Sequence, residues 1–248
     1  MTAIPLDAPE RVEELRQRIQ NKTALRLLYQ EFYEEYRSCL GKCPGHGLAV
    51  EVGSGAGFVK QLLPTVVTTD IIPYPGLDQV MDARRMPYAD EQIRALFLLN
   101  VFHHLPDVGA FLAEATRCLM SGGRLLILDQ HVGWISSPVL RFLHHEPFEP
   151  QRQDWRFNST GPLSGANGAL AWIVFHRDRA RFESLFPKLK LREYTPHTPL
   201  RYWLAGGLKS WTLLPQAFFP AATKIDNLLL RVSHNFGSFV KIELEKCP

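Results

Sequence analysis

The chain has 248 residues, 46% of them apolar, which is enough for one full core, and a formal net charge of +3 with Lys and Arg scattered among Asp and Glu. That pattern gives no ground to expect a nucleic-acid partner. No stretch approaches the roughly 18–20 uncharged apolar residues that span a bilayer, and residues 1–9 carry neither a basic leader nor an apolar core, so a cytoplasmic protein is expected. The four cysteines fit a reducing compartment, and Cys39 and Cys43 lack a second Cys/His pair that would complete a zinc site.

From Glu10 to Leu40, Val12, Leu15, Ile19, Leu25, Leu28, Phe32 and Tyr36 recur at three- to four-residue steps, predicting an amphipathic helix that ends near Gly41. Cys43 to Gly47 has loop composition. Leu48, Val50 and Val52 then form a short apolar run suited to a buried parallel strand, and Gly53, Gly55 and Gly57 let the backbone turn tightly before a helix expected over Phe58–Leu63. A glycine loop between strand and helix offers bare amide N–H groups to a ligand. Dinucleotide sites carry G-x-G-x-x-G, whereas Glu51 stands here two residues before the first glycine. Its charge repels a pyrophosphate but accepts hydrogen bonds from an ammonium, which favours a cationic, phosphate-free nucleoside.

The segment Glu51-Val52-Gly53-Ser54-Gly55-Ala56-Gly57 resembles the first motif of class I S-adenosylmethionine-dependent methyltransferases. The resemblance implies an α/β fold built on a doubly wound, seven-stranded, mostly parallel Rossmann-like sheet whose last strand is antiparallel. It implies S-adenosylmethionine as cofactor, with Glu51, Gly53, Ser54, Gly55 and Gly57 at its methionine end. In such enzymes a helix before the first strand lies across the cleft, so Tyr29, Phe32, Tyr33 and Tyr36, read first as a packed face, have lid residues as their alternative.

Further along, Thr65–Asp70 is a β-branched run closing on an acid 19 residues after Glu51, and Asp70 is placed to accept both ribose hydroxyls, with Ile71 beside it. Ile72–Gly76 is too rich in proline for a helix. Gln79–Ala83 reads as a short third strand, and Asp82-Ala83 resembles the family's adenine-recognition pair; Met86 is set either on the adenine or in the core. The apolar run Ile93–Asn100 is the expected fourth strand. It leads into Val101-Phe102-His103-His104-Leu105-Pro106-Asp107, which resembles the H-H-L-P-D form of small-molecule methyltransferases. Asn100 and Val101 should face the cofactor's reactive end. His103 or His104 is the candidate general base, with pocket lining as the alternative, since no acid is positioned by motif to hold either tautomer. Asp107–Met120 reads as a helix capped at Ser121-Gly122-Gly123, and Arg124–Asp129 as the fifth strand.

One domain over 1–248 is expected: an N-terminal helical lid (1–47), a cofactor-binding core (48–129), an inserted acceptor-side cap (130–177) and the C-terminal half of the sheet (178–248). The cap offers His144, His145, Glu146, Asp154, Trp155, Arg156 and Asn167 to an acceptor. His144-His145-Glu146 lacks an i, i+4 pair with a third ligand, so no metal is expected. Beyond it come a helix over Asp178–Leu185, a sixth strand at Lys190–Tyr194 resuming at Leu200–Leu204, a helix within Pro215–His234 and a final antiparallel edge strand, Phe239–Leu244. The apolar tract from Trp203 to Phe219 suits core packing; its alternatives are a lipid-tailed acceptor or peripheral contact with a membrane. The expected activity is methyl transfer from S-adenosylmethionine to an oxygen or nitrogen of a small molecule. A non-catalytic S-adenosylmethionine-binding regulatory subunit and an NAD-dependent oxidoreductase are the alternatives.

Overall fold

The computed structural model describes residues 5, 7–159, 161, 163 and 165–248. The strands are β1 (Leu48–Val52), β2 (Val67–Asp70), β3 (Gln79–Val80), β4 (Ile93–Leu99), β5 (Leu119–Gln130), β6 (Leu189–His197) and β7 (Phe239–Lys246). They form one sheet in the order β3-β2-β1-β4-β5-β7-β6. Pairings from β3 through β5 are parallel, and β7 lies antiparallel to both β5 and β6. This is the seven-stranded methyltransferase-type sheet that the sequence led us to expect.

Apolar residues alternate between the two faces as strand geometry requires. Leu96, Leu98, Leu125 and Ile127 face a core closed by helix Val108–Cys118 and the turns around Ile173–Phe175. Ala95, Phe97, Leu126 and Leu128 face a second core closed by helix Thr23–Leu40, where Tyr36 stacks on Phe97 with ring centroids 4.2 Å apart. Strand order reverses at β1 and β4, and the crevice beyond their carboxyl ends is where such sheets bind ligands.

Several elements differ from the sequence reading for identifiable reasons. The N-terminal helix is two, Pro9–Asn21 and Thr23–Leu40, broken at Lys22, whose backbone is extended. The buried Lys22 ammonium donates to the carbonyls of Gly207 and Lys209, contacts that a helical periodicity cannot reveal. The first crossover is a single 3-10 turn, Val59–Gln61, because Pro64 leaves no room for more. Ile72–Gly76 is a loop, and β3 keeps two residues of the expected five. Gly122-Gly123 caps no helix: β5 begins at Leu119, straight after the preceding helix, and bulges so that Ile93 pairs with Leu119 but Ala95 with Arg124, with Gly122 at φ +78°. Residues 201–204 form a helical turn where the sixth strand was expected to resume. The last strand is no edge strand, since β7 lies between β5 and β6, and β6 is the edge.

All four cysteines are unpaired thiols. Among the described residues no helix is long and apolar enough to cross a membrane. The leader expectation falls partly on residues 1–4 and 6, outside the described residues, as do residues 160, 162 and 164 of the cap.

Arg201 is anchored in the interior: its Nε donates to Asp226 at 2.9 Å, and the Leu200 amide donates to the same carboxylate at 2.8 Å. Asp226 is 1% exposed. Asp226→Ala leaves a buried guanidinium short of its partner and is expected to cost about 3–5 kcal/mol of stability. Urea denaturation reads this as a lower midpoint at unchanged slope; a midpoint equal to that of the parent would mean that Glu31 and Thr223, the other partners of Arg201, suffice.

Candidate active site

The glycine loop leaves β1 with Gly53 at φ +65° and Gly55 at φ +45°. A Cβ on Gly53 would sit 2.5 Å from a methyl of Val101, so this crossing of backbone and side chain tolerates no larger residue. The loop is pinned from the next strand. Gly55 N donates to Asp70 Oδ2 and Ile72 N to Oδ1, both at 3.0 Å, and Ser54 N donates to the Thr69 carbonyl at 2.9 Å. Asp70 thus braces the loop, and each of its oxygens retains acceptor capacity. Burial raises its pKa.

Glu51 is 2% exposed, and its Oε2 has no hydrogen-bond partner. Burial pushes its pKa up to about 7. Glu51, residues 53–57, Asp70, Ile71, Asp82, Ala83, Asn100, Val101, His103 and His104 all line one cleft of about 1530 Å³. A pocket for one drug-sized ligand holds about 300–1,000 Å³, so this cleft has room for a nucleoside and a second molecule. Asp82 is engaged by Arg84, whose guanidinium holds the carboxylate below its usual range. Met86 packs in the core beneath the sheet.

From the N-terminal side, Tyr29 and Tyr33 reach the cleft, whereas Phe32 and Tyr36 belong to the core. The Tyr33 hydroxyl accepts the Phe58 amide at 3.0 Å, and so satisfies a donor that a full crossover helix would leave to its own cap.

Beyond β4, Asn100 adopts φ +56° and donates its amide to the Leu128 carbonyl. The chain then winds through the 3-10 turn Phe102–His104, which sets the two imidazoles 4.2 Å apart between centroids. The acids that no motif announced come from elsewhere. His103 Nδ1 donates to Asp129 Oδ1 at 2.6 Å, and its Nε2 lies 3.3 Å from Glu146 Oε2. Burial opposes charge on His103, but Asp129 and then Glu146 outweigh it and push its pKa up to about 10. His104 Nδ1 donates to the Gly165 carbonyl at 3.1 Å, and its Nε2 lies 3.5 Å from Glu146 Oε1. Burial and then the neighbouring imidazolium push His104 down to about 4. Glu146 is held well below the usual carboxylate range: burial alone would raise it, but the hydrogen bond from His103 and the surrounding imidazoles prevail. Both nitrogens of His103 are therefore engaged, an arrangement ill suited to a general base.

Asp129 was legible in principle, because it lies one residue before the end of β5, much as Asp70 ends β2, and parallel strands bring their carboxyl ends to one edge of the sheet. Glu146 arrives through the cap, and no spacing in the sequence ties it to His103. Of the other cap residues, His144, His145 and Arg156 line the cleft. Trp155 is buried and donates to Asp178, and Asn167 holds the Glu149 amide, so both are scaffolding. Asp154 is exposed and lies outside the cleft lining. The apolar tract divides: Leu214 and Phe219 are core, while Trp211 and Leu213 line the cleft mouth, 45% and 70% exposed, with Leu143 beside them at 69%.

Residues 50–127 match the methyltransferase domain family. No curated protein matches the sequence. Among solved structures, the geranyl diphosphate C-methyltransferase of Streptomyces coelicolor, in complex with Mg2+, geranyl diphosphate and S-adenosyl-L-homocysteine, is similar at 15% identity and TM-score 0.51, over 90% of this chain and 80% of that one. A chain of the complex between the Haloferax volcanii Trm112 methyltransferase activator and its methyltransferase partner is similar at 11% identity and TM-score 0.52, over 95% and 98%. A Galdieria sulphuraria protein proposed to be a sarcosine dimethylglycine methyltransferase is similar at 15% identity and TM-score 0.51, over 90% and 88%. At these identities the solved structures share the fold. Residues 50–127 thus carry a methyltransferase domain, and the sheet around it has the order of the S-adenosylmethionine-dependent methyltransferase fold.

Tyr33→Phe removes the acceptor of the Phe58 amide inside the protein and is expected to lower stability by about 1–3 kcal/mol. A thermal melt measures the loss; an unshifted transition would show that the amide finds another partner.

Proposed function

We propose that this methyltransferase transfers the methyl group to an oxygen or nitrogen of a small amphiphilic acceptor, and that the cleft from Glu51 to His104 is where it does so. The observation that carries the cofactor placement is the unpartnered Oε2 of Glu51, buried beside the glycine loop. A buried acid without a partner is costly, and an ammonium group satisfies it. In this reading Glu51, Gly53, Ser54, Gly55 and Gly57 hold the methionine end of S-adenosylmethionine, Asp70 and Ile71 the ribose, Asp82 and Ala83 the adenine, and Asn100 and Val101 flank the reactive end. The bound cofactor supplies an electrophilic methyl on a sulfonium. What the chain contributes is alignment of the acceptor with that methyl, and exclusion of water by Tyr29, Tyr33 and the apolar rim.

The acceptor's character is read from that rim. Leu143, Trp211 and Leu213 continue the cleft outward as exposed apolar surface, while the polar groups of His103, His104, His144 and Glu146 lie deeper. A molecule with a polar reacting end and an apolar tail fits this gradient. Phe142 and Phe218 are exposed as well, and they support peripheral contact with a membrane from which such a molecule is drawn.

Glu51 yields a pH test. Its pKa rises from 4.5 to about 7 on folding, so between those values the folded chain holds a proton that the unfolded chain has lost, and Glu51 opposes folding increasingly as pH rises through that window. Binding an ammonium requires the ionised form. Calorimetry with S-adenosylmethionine near pH 5.5, in buffers of different ionisation enthalpy, should therefore report release of about one proton, fading as pH passes 7. Glu51→Gln should abolish the release and weaken binding about ten- to a hundredfold. Proton release persisting in that variant would remove Glu51 from the cofactor site.

For the acceptor, labelled-methyl transfer into a cell extract, followed by mass analysis, should yield a product that partitions into organic solvent. With the acceptor in hand, Trp211→Ala and Leu213→Ser should raise KM several-fold at nearly constant kcat. A water-soluble product and unchanged KM would sink the amphiphilic reading.

A further inference from the structure

We propose that His103, His104 and Glu146 bind a divalent transition-metal ion, zinc by preference, with an open coordination position turned toward the acceptor. One ligand atom from each of the three residues lies within 4.8 Å of the others. Two of the separations are tighter: 3.3 Å from His103 Nε2 to Glu146 Oε2, and 3.5 Å from His104 Nε2 to Glu146 Oε1. Bonds of about 2.0–2.1 Å to a tetrahedral zinc place neighbouring ligands about 3.3–3.4 Å apart, and each imidazole already stands near that distance from one oxygen of the carboxylate, His103 from Oε2 and His104 from Oε1.

The groups behind the ligands strengthen the assignment. Metal-bound histidines typically donate their other nitrogen to a carboxylate or a backbone carbonyl, which fixes the tautomer and aims the lone pair. Here both kinds of support are present: Asp129 takes Nδ1–H of His103 at 2.6 Å, and the Gly165 carbonyl takes that of His104 at 3.1 Å. Each imidazole is left to present Nε2 to the same point. With neutral imidazoles the site carries the two negative charges of Asp129 and Glu146, matching a dication. Two imidazoles and one carboxylate suit zinc over magnesium or calcium, which prefer all-oxygen shells. His144 stays outside the set, because its Nδ1 accepts the Glu146 amide at 3.3 Å.

Three protein ligands leave a position open, the mark of a catalytic site. All three residues line the same cleft as Glu51 and Asp70. An acceptor hydroxyl entering that position would be oriented and made more acidic, losing its proton to solvent, without either histidine acting as base. This use of the metal rests on the methyl-transfer reading above; the binding site itself does not.

The test takes the full chain, stripped of metal with a chelator, and adds cobalt(II) as an optical probe, then zinc in competition. The expected result is the ligand-field absorption of four-coordinate cobalt at one equivalent per chain, displaced by zinc. Glu146→Gln and His104→Ala should each weaken affinity at least a hundredfold, and Asp129→Asn about ten- to a hundredfold. His145→Ala, 62% exposed and 3.8 Å from Glu146, should leave it unchanged. Circular dichroism and S-adenosylmethionine binding on the same samples report whether each variant has folded. Absence of the absorption in folded parent protein, or affinity retained in both folded ligand variants, overturns the metal site. Cofactor binding preserved in that case leaves the methyltransferase reading standing.

Discussion

Parallel strands deliver their carboxyl ends to a single edge of the sheet, and every acid of the sheet that lines the cleft or holds its lining in place owes its position to that constraint. Glu51 lies near the end of β1, Asp70 closes β2, and Asp129 lies one residue before the end of β5. Because strand order reverses at β1 and β4, the loops after these two strands diverge and leave a crevice between them. The glycine loop fills one side and the His103–His104 turn the other. Asp70 ties the first loop down through the Gly55 and Ile72 amides, and Asp129 ties the second through the His103 amide and imidazole. The same device, an acid at a strand end gripping the loop of its neighbour, is used on both sides.

This regularity explains what could be read from the sequence. Hydrophobic period and strand-terminal acids are local signals, and they located β1, β2, β4, β5 and the residues around the glycine loop. Contacts made across long sequence separations left no such trace. Lys22 breaks a helix for the sake of carbonyls at residues 207 and 209. Glu146 meets His103 only once the cap has folded over β4. Phe239–Lys246 alternates like an edge strand, yet inserts between β5 and β6, because the exposed-looking Lys241 and Glu243 are neutralised in place: Lys241 by Glu35 and Glu193, and Glu243 by Lys42 and Arg124. Charges that read as solvated surface serve as cross-strand pairs on a covered strand.

Burial is spent unevenly around the cleft. The scaffold acids are well supplied with partners: Asp226 holds Arg201, and Asp178 holds Arg177 and the Trp155 indole. Glu51 is buried as deeply as Asp226 but keeps an oxygen without a partner, and its raised pKa expresses the cost of that burial. A fold selected for stability alone would pair it or replace it. Its isolation marks a place where stability is given up so that a ligand can recover it on binding.

The contacts of Lys22 also bear on how anything enters. The helix Pro9–Asn21 and the segment 204–213 form facing walls of the cleft, and they are sewn together: Arg18 donates to the Leu208 carbonyl, and Lys22 to those of Gly207 and Lys209. Parting one wall from the other would break three hydrogen bonds and uncover an ammonium that burial holds near a pKa of about 8. The two walls are therefore joined into one unit, and the places of cofactor and acceptor lie along the one cleft that it borders.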